Sequence, residues 1–186
     1  MTMKELARKS RTIRRFDQTN RLTDKFLASL VDTARITPSG SNKQTLRYRI
    51  VSSPEECATV FPHLAWAAAL KDWTGPSEGE RPAGYIIIAS ESDRAIDIGI
   101  AAQTIQLAAT EQGYGACMLG TIKRDEIKKA LNIPDPLNVK LVVALGKPVE
   151  KVVLEEARPG DNLNYYRTED GVHHVPKLRL QDVLIK

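Results

Sequence analysis

Apolar residues recur along this chain with two different spacings, and the change between them separates predicted helices from predicted strands. In "RLTDKFLASLVDTARITPSG", residues 21–40, the apolar side chains of Phe26, Leu30 and Ala34 stand four residues apart. This spacing places them on one face of an amphipathic helix, and Thr23 is positioned to cap its first turn. The segment therefore predicts a helix that packs one face on a core.

Three segments have the pattern of β-strands. Residues 46–52, "LRYRIVS", alternate apolar and basic side chains, which is typical of a half-buried strand. Residues 85–90, "YIIIAS", and residues 139–146, "VKLVVALG", are mainly continuous apolar runs. Such runs predict central strands that are covered on both faces.

Residues 95–113, "AIDIGIAAQTIQLAATEQG", have the length and content of a helix that is apolar or small nearly all round, with Gly113 as its C′ residue. A helix of this kind must be buried on more than one side. Its second cover could come from another subunit, which makes it a candidate dimer interface. A central helix inside one subunit is the alternative, and the pattern alone leaves both open.

The remaining segments complete the organisation of the chain. Residues 115–120, "GACMLG", form a short apolar run between glycines, and residues 121–134 predict a helix that stops before a proline. Between residues 155 and 175 the periodicity dissolves into turn-forming and polar residues. We therefore expect one domain over residues 1–186, with residues 155–186 as an extended C-terminal arm that lies over the body or over a partner.

Composition narrows the setting. The chain has 186 residues, 42% of them hydrophobic and 5% aromatic, with a formal charge of +4. Because the basic residues are spread along the chain, a small anionic ligand is favoured over nucleic acid. The spacing of Cys57 and Cys117 suggests neither a disulfide framework nor a zinc site, and no apolar run approaches the length of a membrane helix. These features predict a cytoplasmic protein without a membrane anchor.

Several well-known chemical motifs are missing from the sequence. It contains no GxGxxG, no GxxxxGK[ST] and no GxSxG. The histidines His63, His173 and His174 have no metal-ligand spacing, so no metal site is predicted. The adjacent pair, His173 and His174, is interpreted as two exposed loop residues.

Four polar clusters lie next to apolar elements instead. Arg11, Thr12 and Arg14 could clamp a phosphate, because guanidinium groups donate in a planar fork and a hydroxyl adds a directional bond. The loop "PSGSNKQ" offers amide donors and acceptors, and "GACMLG" and "GKP" with the distant "PKLRL" complete the set. Each cluster alone also fits a simpler interpretation, namely solvated arginines and an ordinary helix-to-strand connection.

Their order along the chain resembles the FMN-dependent nitroreductase family. The segments "RTIRRF", "PSGSNKQ", "DIGIAAQ", "GYGACMLG", "ALGKP" and "KLR" follow one another over nearly the whole chain. The resemblance implies an α+β sandwich, with a mainly antiparallel sheet flanked by helices. It also implies an intertwined homodimer that binds FMN at two interfacial sites.

The resemblance further implies which residues contact FMN. They are Arg11, Thr12 and Arg14 at the phosphate; Ser39, Gly40, Asn42 and Gln44 reaching the flavin from the other subunit; the backbone of Met118, Leu119 and Gly120 beside the isoalloxazine; and Lys177 and Arg179 completing the phosphate pocket. Arg15 has no such role and is expected to be solvated.

The sequence also departs from the family pattern. The usual Arg-Arg-Ser is Ser10-Arg11-Thr12 here, which removes one basic side chain and keeps a hydroxyl. The Pro-Trp that commonly follows the amide loop is replaced by Thr45 and Leu46. Lys71 is a candidate for a basic contact to the flavin pyrimidine, but its alignment is too loose for an assignment.

The function that the resemblance implies is an oxidoreductase. It would use NADH or NADPH to reduce FMN and then pass electrons to an aromatic, nitro or quinone-like acceptor in a ping-pong mechanism. No catalytic side chain is expected, because the flavin carries the chemistry. The alternative is a protein that binds FMN without NAD(P)H turnover, as a carrier or sensor. The sequence leaves the acceptor and the NADH or NADPH preference open, and residues 65–81 are the region where we expect a substrate lid.

Overall fold

The computed structural model describes residues 1–70 and 72–185. The helices are α1 (Met3–Lys9), α2 (Asp24–Arg35), α3 (Pro54–Val60), α4 (Ala95–Glu111), α5 (Arg124–Ala130) and α6 (Leu180–Val183). The strands are β1 (Phe16–Asp17), β2 (Arg47–Val51), β3 (Gly84–Ser90), β4 (Gly115–Leu119), β5 (Asn138–Pro148), β6 (Val152–Ala157), β7 (Tyr166–Arg167) and β8 (His173–Leu178).

The main sheet is antiparallel throughout and is organised around β5. One edge of β5 pairs with β3, which pairs with β2, while β4 and then β1 pair with its other edge. Every residue of β3 is buried. Tyr85 and Ile87 lie in the core on one face of the sheet, and Ile86 and Ile88 lie in the core on the other. The prediction of central strands covered on both faces is confirmed.

Helices cover both faces of this sheet. Leu27 and Leu30 of α2 and Ile105 of α4 share a core with one face, while Val60 of α3 and Ile127 of α5 share a core with the other. The Thr23 hydroxyl accepts a hydrogen bond from the backbone N–H of Phe26 at 3.1 Å, as the sequence predicts for the cap of α2. The predicted α+β sandwich is therefore confirmed.

Two segments differ from the sequence interpretation. Helix α1 was not predicted; a capping box between Thr2 and Glu5 begins it. The second is the C-terminal arm, where the sequence periodicity dissolves between residues 155 and 175 and no strand was predicted. There β6 pairs in parallel with β8, which pairs in antiparallel fashion with β7. Polar residues are mixed with the aliphatic ones in β6 and β8, and β7 has no aliphatic residue, so hydrophobic periodicity does not reveal these strands.

Helix α4 has one buried face and one face that is exposed or half-buried. Ala101, Ala102, Ile105 and Ala109 are buried, whereas Ile96 at its first turn is 80% exposed. The outward face continues through Gly99, Ile100, Gln103 and Leu107, which are exposed or half-buried. Among the helices of the described residues, none combines the length and apolarity needed to cross a membrane.

Candidate functional site

The segment that carries Arg11, Thr12 and Arg14 lies against the first half of β4. The backbone N–H of Ile13 donates to the carbonyl of Ala116 at 2.9 Å, and Thr12 forms an isolated bridge with the same residue. This close approach requires a glycine at position 115, where a Cβ atom would come within 2.7 Å of Ile13 Cγ1. The sheet therefore fixes the backbone of the candidate phosphate clamp.

Arg14 is buried, with 9% of its surface exposed, and its guanidinium contacts the C-terminal arm. Its Nη1 lies 3.3 Å from Nε2 of His173, and its Cζ lies 4.5 Å from the centre of the Tyr165 ring. Within the part of the chain that the structure describes, the guanidinium forms no ion pair with a carboxylate. Arg14 is thus a buried cation to which no described residue supplies an anionic partner.

Glu150 binds the backbone of the segment that carries Arg14. Its side chain is 1% exposed and pairs with Arg167 at 3.0 Å. It also accepts hydrogen bonds from the backbone N–H groups of Arg14 and Arg15. Because the carboxylate contacts the backbone of Arg14 and not its guanidinium, it positions the clamp without neutralising that cation.

Arg15 is not merely solvated, so that prediction is wrong. Its Nε donates to Glu80 at 2.8 Å, and its Nη2 donates to the second carboxylate oxygen. The hydrogen bonds from Arg15 lower the pKa of Glu80. Side chains of both residues are close to 30% exposed, so this pair lies at the surface.

Arg11 and Ser10 form the other end of the clamp. Burial lowers the pKa of Arg11, whose Nη2 donates to the carbonyl of Ala7 and whose Nε is buried without a partner. Ser10, at the position where the family pattern has an arginine, is 2% exposed and accepts a hydrogen bond from Gln106 at 3.2 Å. The substitution therefore places a satisfied hydroxyl inside the protein where a cation would be costly.

The loop of residues 39–44 has an unusual backbone. Ser41, Asn42 and Gln44 all have positive φ angles, near 50°, which residues other than glycine rarely adopt. The loop is held by the bond from Gly40 N–H to Oδ1 of Asp97 at 2.9 Å and by the bond from Gln44 N–H to Ser39 Oγ at 3.2 Å. Strain of this kind concentrates at functional sites.

This loop borders a cavity of about 260 Å³ between α2, α4 and β2. Ser39 and Gln44 line it, together with Tyr48 and with Asp97, which is 6% exposed. The Nε2 of Gln44 donates to Oδ1 of Asn42 at 3.1 Å, so the two predicted amides are adjacent. Sequence reasoning missed Asp97, because an acid in the first turn of a helix is common and does not by itself indicate a role.

Met118, Leu119 and Gly120 lie at the other end of β4. Leu119 is buried in the core, Met118 is half-buried, and Gly120 follows the strand at the surface. Since a strand rises about 3.3 Å per residue, Gly120 lies roughly 13 Å along β4 from the bridge between Thr12 and Ala116. The strand therefore connects the candidate clamp to the backbone that was predicted to flank the flavin.

Comparison with known proteins adds to this geometry. A protein-family model described as "Nitroreductase family" matches residues 7–147 of the chain. The chain belongs to the nitroreductase family. The matched residues include α2 to α5, the clamp, the amide loop and β4, while β6, β7 and β8 follow them.

Solved structures share the fold of this nitroreductase-family protein. A nitroreductase family protein from Clostridium novyi NT is 27% identical with a TM-score of 0.68, covering 80% of this chain and 86% of that chain. One from Streptococcus pneumoniae TIGR4 is 15% identical with a TM-score of 0.70, covering 100% of both chains. A protein from Exiguobacterium sibiricum 255-15, assigned as a nitroreductase and solved in complex with FMN, is 18% identical with a TM-score of 0.65, covering 80% of this chain and 89% of that chain.

The remaining predicted contacts of this nitroreductase-family protein lie at the end of the chain. Lys177 lies on β8, the strand that carries His173, and Arg179 follows that strand and pairs with Asp182 at 2.7 Å. Lys71 lies outside the described residues. Their roles toward the flavin remain predictions.

Two residues of the expected lid region, Trp73 and Glu80, contact the arm and the clamp. Trp66 is 8% exposed, and the Trp73 ring lies 4.8 Å from the guanidinium carbon of Arg167. Glu80 of the same region pairs with Arg15. The lid therefore remains a prediction, but its neighbours are the groups that surround Arg14.

The interpretation of His173 and His174 as exposed loop residues is wrong. Both lie in β8; His173 is 1% exposed, and Nδ1 of His174 lies 2.6 Å from Glu155. Burial, with the nearby charge of Arg14, lowers the pKa of His173 to about 4, so the imidazole is neutral near pH 7. In the described residues, no three His, Cys, Asp or Glu side chains cluster in a way that could hold a metal ion.

Proposed function

We propose that this nitroreductase-family protein binds FMN and uses NADH or NADPH to reduce a small aromatic, nitro or quinone-like acceptor. The observation that supports it most is Arg14, a buried cation for which the described residues offer no carboxylate partner. Burying a charge without a partner is costly, so a protein that keeps one there has an anion to bind. The phosphate of FMN is such an anion.

The donor set suits a phosphate. Arg11 has a buried Nε without a partner, and Arg14 has guanidinium donors in excess of its contact to His173. Thr12, between them in the sequence, adds a hydroxyl. Charge-assisted bonds from guanidinium groups to phosphate are among the strongest polar contacts in proteins. The residues present therefore fit the group, with Lys177 and Arg179 as the proposed further cations.

When bound, FMN supplies the hydride and electron transfer between NAD(P)H and the acceptor. The protein contributes binding, orientation and electrostatics. We assign the backbone of Met118, Leu119 and Gly120 to one edge of the isoalloxazine. Ser39, Gly40, Asn42 and Gln44 present amide and hydroxyl donors, which favour a negatively charged reduced ring. Such a site needs no nucleophilic side chain, and successive use by reductant and acceptor gives a ping-pong mechanism.

An anaerobic titration tests the redox function. The purified protein is expected to be yellow and to bleach when NADPH or NADH is added in the absence of oxygen. The measurement is the visible absorbance of the flavin, with dithionite as the control that reduces any accessible flavin. Bleaching by dithionite but by neither nucleotide would favour the FMN carrier or sensor, and a colourless protein that takes up no FMN would contradict both.

We also propose that the protein is an intertwined homodimer, in which residues 39–44 complete the FMN site of the partner. The outward face of α4 carries Ile96, Ile100 and Leu107, and the tail beyond β8 exposes further apolar residues. Residues 1–186 are proposed as a single domain with residues 155–186 as its arm. A cytoplasmic location is proposed as well, since both cysteines are free and buried.

Sedimentation tests the dimer. The wild-type protein is expected to sediment as a dimer at low micromolar concentration, and Ile100→Arg is expected to shift it to the monomer and weaken FMN binding, because a buried unpaired charge disrupts an apolar interface. Ala58→Arg is the control, since Ala58 is exposed on α3, on the opposite side of the sheet. A compact wild-type monomer that retains FMN would contradict the shared site.

A further inference from the structure

The guanidinium of Arg14 is held between two side chains of the C-terminal arm. The ring of Tyr165 lies 4.5 Å from its Cζ, and Nε2 of His173 lies 3.3 Å from its Nη1. The two arm residues also contact each other, with ring centres 5.2 Å apart. Arg14 is therefore fixed by a face contact with Tyr165 and by an edge contact with His173, two residues far from it along the chain.

The chemistry of both contacts preserves the charge of Arg14. A neutral imidazole that accepts at Nε2 carries its proton on Nδ1, and Nδ1 of His173 is buried without a partner. An aromatic ring beneath a guanidinium attracts the cation without neutralising it. The unpaired Nδ1–H of His173 is the cost of this arrangement, because a buried donor without a partner is destabilising. The arrangement holds the cation in place while leaving it available to an anion, which a carboxylate in the same position would not do.

We propose that His173 and Tyr165 are positioning residues that orient Arg14 toward the phosphate of FMN, so that the C-terminal arm controls how strongly the cofactor is retained. This inference rests on the proposed FMN function and goes beyond it. The two residues act through Arg14 and do not contact the cofactor themselves. Loss of either contact frees the guanidinium to rotate, which weakens a bond whose strength depends on geometry.

The chain offers a matched control at the adjacent positions. His174 and Tyr166 are the same residue types one position further along the chain, and their rings stack on each other with centres 4.8 Å apart. Both contact Glu155 and not Arg14. The same substitutions at His174 and Tyr166 change the composition of the arm in the same way, but they leave His173 and Tyr165 intact.

The test compares dissociation of FMN and riboflavin from the full-length protein. Each variant is loaded with one flavin and diluted, and the recovery of flavin fluorescence gives the dissociation constant. His173→Phe and Tyr165→Leu are each expected to weaken FMN by about three- to tenfold and riboflavin by less than twofold, since riboflavin has no phosphate. His173→Gln, which restores an acceptor, is expected to recover most of the loss. His174→Phe and Tyr166→Leu are expected to leave both flavins unchanged.

Combination with Arg14→Ala separates positioning from a general structural role. In that background, His173→Phe is expected to weaken FMN no further, because the group it orients is gone. An additive loss, or equal losses for FMN and riboflavin, would overturn the proposal. If the wild-type protein and Arg14→Ala bind FMN equally well, the phosphate clamp itself is wrong; if Arg14→Ala loses FMN selectively while His173→Phe and Tyr165→Leu do not, only the positioning role is wrong.

Discussion

Glu150→Ala is expected to lower the free energy of unfolding by about 3–5 kcal/mol, the largest single effect in the candidate site. The carboxylate is 1% exposed and pairs with Arg167, whose side chain is 17% exposed. Its removal leaves a mostly buried guanidinium without a counter-charge and leaves the backbone N–H groups of Arg14 and Arg15 without their acceptor. Urea denaturation followed by circular dichroism measures the loss.

Two other substitutions isolate the cause. Glu150→Gln keeps an acceptor oxygen and loses the charge, so its loss of stability should lie between those of the wild type and Glu150→Ala. Glu155→Ala removes a glutamate whose side chain is 35% exposed, and its effect should stay near 1 kcal/mol or below. A Glu150→Ala variant as stable as Glu155→Ala would show that the ion pair with Arg167 does not hold the arm to the clamp.

The body of the fold could be predicted because its signals are local. Continuous apolar runs identify β3 and β5, since strands covered on both faces leave no place for polar residues. The four-residue spacing and the threonine cap identify α2. Both signals are also local, since each depends on neighbours within one or two helical turns. Such features are properties of short segments, and the sheet that unites them confirms each prediction.

The strands of the C-terminal arm could not be predicted from local signals. Strands β6, β7 and β8 carry polar residues on both faces, and their pairing depends on residues far apart in the sequence. His173 shows the same limit, because a histidine in a polar segment gives no sign that an arginine near the N-terminus buries it. A buried position of this kind is decided by tertiary contact and not by local pattern.

The candidate site was predicted from the order of its segments along the chain. That order named the residues of the clamp, and the structure shows why their backbone is held on β4. It did not indicate Asp97, which fixes the amide loop, or Glu150, which fixes the clamp. Supporting residues of this type are single acids in unremarkable contexts, so their role becomes visible only when the backbone they bind is seen.

The pH dependence of stability provides a direct measure of the buried imidazole. Burial, with the charges of Arg14, Arg167 and His174 nearby, lowers the pKa of His173 from 6.5 to about 4. Above pH 6.5 the imidazole is neutral in both the folded and the unfolded chain, and its contribution to stability is constant. As the pH falls from 6.5 to 4, the unfolded chain binds a proton that the folded chain does not, so unfolding becomes more favourable.

The expected loss over this interval is about 3 kcal/mol in the wild-type protein, because each unit of pKa difference corresponds to about 1.4 kcal/mol. Urea unfolding of the flavin-free full-length chain at several pH values measures it without a contribution from ligand binding. Protonation of carboxylates also destabilises the fold in acid, but it does so equally in the wild type and in the histidine variants. His173→Phe should therefore lose about 3 kcal/mol less than the wild type between pH 6.5 and 4, whereas His174→Phe should follow the wild-type curve. If His173→Phe follows that curve as well, folding does not lower the pKa of His173, which would contradict an imidazole buried against the Arg14 cation.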